Sequence, residues 1–313
     1  NSNAKNGDRV VIEFIEWKET KSPQAKIINV LGKPGEKETE IHTILSEYGL
    51  PYYFDDEIEI ELDKIEEKIS KVEEEKREDF RKKLTFTIDP SDAKDFDDAI
   101  SFEEKKEGYE VGVHIADVSY YVKPNTKLDT EAYNRGTSVY LVDRVVPMLP
   151  EKLSNNVCSL RPNEDKLTFS AVFILDINGK ILKQKFCRTI INSDYRLSYR
   201  EAQHIIEHKK EIIPPELTID KKEKKIDSNL IEAIISIQRI SKKLRTERLK
   251  KGAILFEKEE IKFLLDKNKN PSHVYIKSSK ESNKLIEEFM LLANKKVSEF
   301  ISKKDNKKTF VFR

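Results

Sequence analysis

The sequence is poor in the residues that would indicate a disulfide-stabilised or membrane protein. Its 313 residues include only two cysteines, Cys158 and Cys187. Two thiols make no disulfide framework, and such sparse usage fits a reducing cytosol. No apolar run approaches the roughly 18 residues of a membrane-spanning helix, and no signal-peptide pattern opens the sequence. We therefore expect a cytoplasmic protein with no membrane association.

Net charge is nearly absent as well. The 58 basic and 57 acidic residues almost cancel, so no global field attracts a polyanion, and any affinity for nucleic acid must come from a local basic surface. There are no internal repeats and no low-complexity segment. The length and the 37% hydrophobic content suffice for one large domain and a smaller one.

The first part of the chain predicts an incomplete β-barrel. Residues 9–17 and 25–31 alternate in polarity as strands do, and the segment that follows predicts a helix that ends at Gly49. The apolar residues with helical spacing are Ile41, Ile44, Leu45 and Tyr48. Two or three strands are too few for a small OB-type barrel, which needs about five. We therefore predict a partial OB-like domain over residues 1–63.

The rest of the chain predicts a charged connector followed by a mixed domain. Residues 64–83 are strongly charged with sparse apolar spacing, which favours a solvated helical linker. From residue 84 to 313, strands and helices alternate, and the fold class is α+β. The long helices are expected over 228–250 and 283–302, and residues 309–313 look like the start of a strand.

The most informative stretch is residues 84–100, LTFTIDPSDAKDFDDAI. It contains five aspartates within ten residues: Asp89, Asp92, Asp95, Asp97 and Asp98. Like charges this close need a compensating cation, and oxygen ligands alone favour Mg²⁺ or Mn²⁺ over zinc. A calcium EF-hand is excluded because Lys94 occupies the position that requires glycine. An acidic surface turn is the alternative, although the interleaved Phe96 and Ile100 indicate partial burial.

Three motifs together resemble one enzyme family. IDPSDAKDFDD, the run from Val111 that includes VGVHIADVSYYV and RGTSVYL, and LIEEFMLLAN over residues 285–294 occur in the order found in the RNase R and RNase II family of 3′ to 5′ exoribonucleases. The resemblance covers residues 84–313, and more loosely residues 7–54 as a cold-shock domain. It implies a partial cold-shock domain, a linker over 64–83 and the N-terminal portion of the RNB catalytic domain over 84–313.

The resemblance implies an activity and a metal. Family members are Mg²⁺-dependent, processive exoribonucleases that release nucleoside 5′-monophosphates from single-stranded RNA, whose 3′ end enters a channel. No obligate protein partner is implied. The family aspartates fall on Asp89, Asp95, Asp97 and Asp98, which leaves Asp92 as a spectator. We expect Asp89 and Asp98 to ligate the metal directly, with Asp95 and Asp97 completing the site.

The resemblance also implies two RNA contacts. Tyr140, in RGTSVYL, matches an aromatic residue that stacks on the terminal nucleotide, although a core tyrosine on a strand would fit the same pattern. Family members use an acid of the LIEE helix near the substrate end. The apolar stripe of that helix favours Glu288 over Glu287.

Other candidate residues have plain structural explanations. His114 could serve as a general base, but we favour a buried core histidine because metal-activated water needs no imidazole. Asp117 could be a fifth ligand or a helix N-cap. The basic residues at the end of the long helix could contact RNA or remain solvated; they are Lys242, Lys243, Arg245, Arg248, Lys250 and Lys251.

The chain also departs from the family pattern. Full-length members carry an arginine-rich motif and an S1 domain beyond the point where this sequence stops, and that arginine helps to hold the scissile phosphate. The catalytic domain is therefore expected to be truncated. The alternative function is a catalytically inactive RNA-binding fragment or scaffold.

Overall fold

The computed structural model of the protein describes residues 3–17, 22–51, 53–254, 260–267 and 270–304. The chain forms two compact units. The first unit comprises Asn1–Lys64 and Lys123–Pro150, and the second comprises Ile65–Val122 and Glu151–Arg313. The limits 1–63, 64–83 and 84–313 that the sequence suggests remain predictions. Across the described residues, no helix combines the length and the apolar character needed to cross a bilayer.

The strands and helices are numbered in chain order. The strands are β1 (Arg9–Glu16), β2 (Gln24–Gly32), β3 (Glu78–Asp79), β4 (Thr85–Asp89), β5 (Asp98–Lys105), β6 (Gly108–Ala116), β7 (Val139–Tyr140), β8 (Val145–Val146), β9 (Asp165–Leu175), β10 (Ile181–Asn192), β11 (Tyr195–Ser198), β12 (Ile212–Ile213), β13 (Lys224–Lys225), β14 (Glu260–Leu265) and β15 (Pro271–Lys277). The helices are α1 (Lys37–Glu47), α2 (Asp56–Asp63), α3 (Lys71–Glu74), α4 (Val118–Tyr121), α5 (Lys127–Arg135), α6 (Tyr199–His208), α7 (Ser228–Lys250) and α8 (Glu281–Lys304), and Lys152–Val157 forms a π-helix.

The first unit confirms the elements that its sequence predicts. Strands β1 and β2 pair antiparallel as a two-stranded sheet, and α1 follows. The chain leaves α1 through Gly49, whose φ of 64° is a left-handed conformation that favours glycine. Helices α2 and α5 pack together, and β7 and β8 form a hairpin. The two-stranded sheet agrees with a partial OB-like domain.

The second unit is organised around a seven-stranded sheet. Its strand order is β11-β4-β5-β6-β9-β10-β3, with parallel pairing of β11 to β4 and of β10 to β3 and antiparallel pairing elsewhere. The turn at Asn178–Gly179 joins β9 to β10, as its sequence predicts. This sheet confirms the α+β class, although the sequence does not signal the short strand β11.

Helices α6, α7 and α8 contribute to the core of the second unit, where they pack with residues of the sheet. In α7, Leu230, Ile234 and Ile237 are spaced by four and three residues, so they share one helix face, and all three are fully buried. In α8, Leu285 and Phe289 are four residues apart, share one helix face and are likewise fully buried. The predicted bounds of α7 and its apolar stripe are confirmed. The strand predicted over 309–313 lies outside the described residues.

The prediction of a solvated helix over residues 64–83 is wrong. Helix α3 is four residues long, and the segment then forms β3, which pairs with β10. The cause is Arg77, whose side chain is fully buried. It donates hydrogen bonds to Glu73 Oε1 at 2.7 Å, to Asp117 Oδ2 at 2.7 Å and to the carbonyl of Thr168 at 3.2 Å. Charge-assisted hydrogen bonds to two buried carboxylates offset the desolvation of the guanidinium group, so this arginine is stable in the protein interior.

Replacement of Arg77 with methionine should lower the free energy of unfolding by about 3–5 kcal/mol, because the buried Asp117 carboxylate loses its partner at 2.7 Å and keeps only Arg188, whose Nε lies 3.5 Å away. Arg81→Met is the matched control, since Arg81 bonds Asp79 and Asp165 at the surface, where ion pairs contribute about 0–1 kcal/mol. Urea denaturation of both variants measures the difference. Equal losses in the two variants would contradict a structural role for the buried pair.

Candidate active site

The acidic stretch lies at one end of two neighbouring strands. Asp89 is the last residue of β4, Asp98 is the first residue of β5, and residues 90–97, here called the acidic loop, connect them. Because β4 and β5 pair antiparallel, both aspartates lie at the same end of the sheet. Pro90 cannot donate to a ladder, so β4 stops there, and the Ala93 N–H closes a turn on the Pro90 carbonyl at 3.1 Å.

The acidic loop is attached to the sheet domain through Phe96. This side chain is 4% exposed, as its apolar character predicts. Its N–H donates to Ser159 Oγ at 3.0 Å, the same hydroxyl donates to the Lys94 carbonyl at 2.8 Å, and the Leu160 N–H donates to the Phe96 carbonyl at 2.9 Å. Residues 159–160, which follow the π-helix, thus fix the backbone of the acidic loop through three hydrogen bonds.

Burial and mutual repulsion disfavour the charged forms of the aspartates. Burial, followed by repulsion from Asp98, raises the pKa of Asp89 to about 7. Burial, followed by repulsion from Asp97, raises the pKa of Asp98 to about 6. The pKa of Asp97 is also raised, by surrounding protein and by Asp95, although its side chain keeps access to solvent. These carboxylates are therefore close enough to interact, and no cation compensates them fully.

The donor chemistry of this cluster fits a hard divalent cation. Oδ2 of Asp89 is buried without a hydrogen-bond partner, and every candidate ligand is a carboxylate oxygen, as Mg²⁺ and Mn²⁺ prefer. However, within the described ranges no three His, Cys, Asp or Glu side chains are arranged to hold a metal ion. The chain brings the carboxylates to one place without fixing them in a coordination geometry. Asp92 is exposed.

Two residues near the aspartates, Tyr199 and Arg196, were not predicted from the sequence as part of the site. Burial and the charges of Asp89 and Asp98 raise the pKa of Tyr199 to about 12, so this side chain lies beside the cluster. Arg196 donates from Nη2 to the carbonyls of Ser91 and Ala93. A capping box at Ser198 and Glu201 could have located the start of α6, but it does not identify either residue as part of the site.

The two predicted RNA contacts differ in exposure. Tyr140 lies in the first unit, on the β7–β8 hairpin, and is 67% exposed. The side chain of Glu288 is 3% exposed and accepts from Arg248 Nη2 at 2.6 Å, whereas that of Glu287 is 49% exposed. Exposure therefore favours Glu287 for a direct contact, and the RNA-binding roles of Tyr140 and Glu288 remain predictions. One arginine of the basic cluster is occupied by this ion pair.

The structural explanation of His114 is confirmed. Its ring is fully buried, with Nδ1 at 2.6 Å from Ser170 Oγ and Nε2 at 2.8 Å from Ser101 Oγ. Burial lowers its pKa to about 3, so the imidazole is neutral at ordinary pH.

Asp117 occupies an N-cap position, but its side chain makes no cap hydrogen bond. Its carboxylate instead accepts from Arg77 and Ser119.

Comparisons with known protein families match nearly the whole chain. A model of the RNB domain matches residues 77–313, and a model of the cold shock domain matches residues 1–55. Ribonuclease R of Aquifex aeolicus is 39% identical over 296 residues, which cover 94% of this chain and 40% of that protein. DIS3-like exonuclease 2 of Xenopus tropicalis is 40% identical over 297 residues, which cover 93% of this chain and 36% of that protein.

Solved structures share the fold. Mycoplasma genitalium RNase R in complex with double-stranded RNA aligns with a TM-score of 0.86 at 25% identity and covers 97% of this chain and 52% of that one. Yeast Ssd1, described as a pseudonuclease, aligns with a TM-score of 0.67 at 18% identity over 95% of this chain and 36% of that one, which shows a common fold alone.

This chain spans about 40% of the length of the first curated relatives that it matches. The RNB model nevertheless covers residues 77–313, well over half of the chain and including the whole acidic stretch. The chain therefore belongs to the RNB-domain family, to which ribonuclease R belongs.

Proposed function

We propose that the protein containing this chain is a divalent-metal-dependent 3′ to 5′ exoribonuclease that degrades RNA processively to nucleoside 5′-monophosphates. The observation that carries the proposal is the pair Asp89 and Asp98. Two partly buried carboxylates of like charge, one with an unpartnered oxygen, are costly for stability and are typical of a site that awaits a cation. Membership of the RNB-domain family supports the same chemistry.

Asp89 and Asp98 would hold Mg²⁺ or Mn²⁺, and Asp95 and Asp97 would complete the site. When bound, such ions supply Lewis-acid stabilisation of the charge that develops on phosphate oxygens. The protein's own residues would position the carboxylates that hold these ions. The acidic loop keeps its carboxylates near the end of β4 through Phe96 and Ser159, and the neutral His114 supports the sheet beneath without taking part in proton transfer.

The substrate would be single-stranded RNA that enters by its 3′ end. The relatives named ribonuclease R and DIS3-like exonuclease 2 support RNA as the substrate class, and solved structures of RNase R hold RNA. The exposed Tyr140 could stack on any base, which suits an enzyme that ignores sequence. We also propose that the protein acts in the cytoplasm, where two free cysteines remain reduced.

The alternative is an inactive RNA-binding fragment or scaffold. It is favoured by the lack of a pre-arranged group of three metal-binding side chains in the described part of the chain. The fold itself does not decide between the two, since a protein described as a pseudonuclease shares it.

Asp98→Asn should abolish release of nucleotides from the 3′ end, with a loss of at least about 100-fold, because a neutral amide cannot replace a charged ligand or its electrostatic effect. The assay follows 5′-labelled single-stranded RNA with Mg²⁺, using this chain and any longer protein that carries it. Asp92→Asn is the matched control and should keep activity. Laddering by Asp98→Asn at the normal rate would show that the hydrolysis does not depend on this carboxylate and would reject the proposed site. RNA binding without laddering by the unaltered protein would support the scaffold.

Tyr140→Ala should lengthen the final product while the early steps remain fast. Stacking on one base contributes about 1–3 kcal/mol, which matters most when few nucleotides remain bound. Denaturing gels of limit products provide the measurement, and Tyr133→Ala, which removes a side chain that is 86% exposed in the same unit, is the control. Limit products of unchanged length in Tyr140→Ala would contradict a stacking contact between Tyr140 and the RNA.

A further inference from the structure

Arg196 connects a neighbouring strand to the acidic loop. It lies on β11, which pairs parallel with β4, and it stands opposite Thr87 in that pairing. Its Nη2 donates to the Ser91 carbonyl at 3.0 Å and to the Ala93 carbonyl at 2.9 Å. The residue is more than 100 positions away from both partners in the sequence, so these bonds tie the loop to a strand that the chain forms much later.

The same side chain also contacts the other limb of the loop. The guanidinium carbon of Arg196 lies 4.8 Å from the ring centre of Phe96, within the range of a cation–π interaction. Phe96 is the buried anchor between Asp95 and Asp97. Arg196 therefore holds the loop on both sides, since its planar group offers an edge to the carbonyls and a face to the ring.

Unpartnered buried polar atoms concentrate at this point. Among the described residues, four buried side-chain atoms lack a hydrogen-bond partner, and three of them are Thr87 Oγ1, Asp89 Oδ2 and Arg196 Nε. Thr87 and Asp89 share one face of β4 because side chains alternate along a strand. Burial raises the pKa of Asp89, whereas the Thr87 hydroxyl and the charge of Arg196 lower it, so these three side chains interact with one another at the end of β4.

We propose that Arg196 is a positioning residue that holds the backbone of the acidic loop, and with it Asp95 and Asp97, beside the end of β4, where Asp89 and Asp98 would hold a divalent cation. The use of that cation in hydrolysis rests on the proposed function, whereas the loop contacts do not. Arg196 acts through the loop backbone and needs no contact with RNA. Ser159, which bonds the backbone at Lys94 and Phe96, acts on the same loop from a different element.

The test compares Arg196→Ala with Arg200→Ala, which removes an exposed arginine of α6 four residues later. Amide hydrogen exchange over residues 90–97, without metal or RNA, reports the order of the loop, and electron paramagnetic resonance with Mn²⁺ reports cation affinity. We expect Arg196→Ala to lower protection of the loop and to weaken Mn²⁺ binding by about 10–100-fold, the range seen when groups that orient metal ligands are removed. Arg200→Ala should change neither.

Two further variants separate positioning from general stability. Guanidinium at millimolar concentration should restore Mn²⁺ affinity to Arg196→Ala, whereas ammonium should not, because only guanidinium matches the vacated planar site. Ser159→Ala should loosen the same amides. Arg196→Lys keeps the charge but loses the ring stacking, and it provides a milder variant if the alanine variant does not fold.

The outcomes are distinguishable from those of the proposed function. A loosened loop with weakened Mn²⁺ binding supports the positioning role even if no variant hydrolyses RNA. Unchanged exchange and unchanged Mn²⁺ affinity in Arg196→Ala would overturn it, as would an unaltered protein that binds no Mn²⁺. A lower melting temperature of Arg196→Ala with normal Mn²⁺ affinity would show that Arg196 only stabilises the fold, and it would also overturn the proposal.

Discussion

The repulsion between partly buried carboxylates at the β4–β5 junction is the constraint on which the site depends. Asp89 and Asp98 resist ionisation because burial raises their pKa values, to which the charge of Asp98 adds for Asp89 and the charge of Asp97 adds for Asp98. A fold that needed only stability would place neutral or solvated residues there. The second unit instead holds the acidic loop through hydrogen bonds to its backbone. These bonds do not involve carboxylate oxygens, which therefore remain available to a cation.

The sheet topology explains how that support reaches the loop. Strand β11 pairs parallel with β4, so the end of β11 lies beside Asp89, and α6 begins immediately after it at Ser198 and Tyr199. Ser159 approaches from the segment that follows the π-helix. The loop is thus bounded by elements from two other parts of the chain, the segment that contains Ser159 and the continuous stretch of β11 and α6.

The sequence predicted what local pattern can specify. The bounds of α7, the strands β1, β2, β9 and β10, and the acidic stretch all follow from periodicity and composition. It failed for residues 64–83, because charge density suggested solvent exposure while Arg77 pairs with Asp117, 40 residues later. Arg196 was missed for the same physical reason. The partners of a lone cation are set by tertiary contacts, and nothing in its sequence neighbourhood indicates them.

The contrast between the two arginines shows what separates structural from site chemistry here. All three side-chain nitrogens of Arg77 donate hydrogen bonds, two of them to the carboxylates of Glu73 and Asp117, whose charges it helps to compensate. Arg196 donates from Nη2 to backbone carbonyls, whereas its Nε is buried without a partner, as is Oδ2 of Asp89 on the adjacent strand. A buried arginine whose nitrogens are all hydrogen-bonded stabilises one arrangement of the chain, whereas buried polar atoms without partners carry a free-energy cost that a bound species would lower. That unsatisfied chemistry is concentrated at the end of β4, where the acidic loop begins.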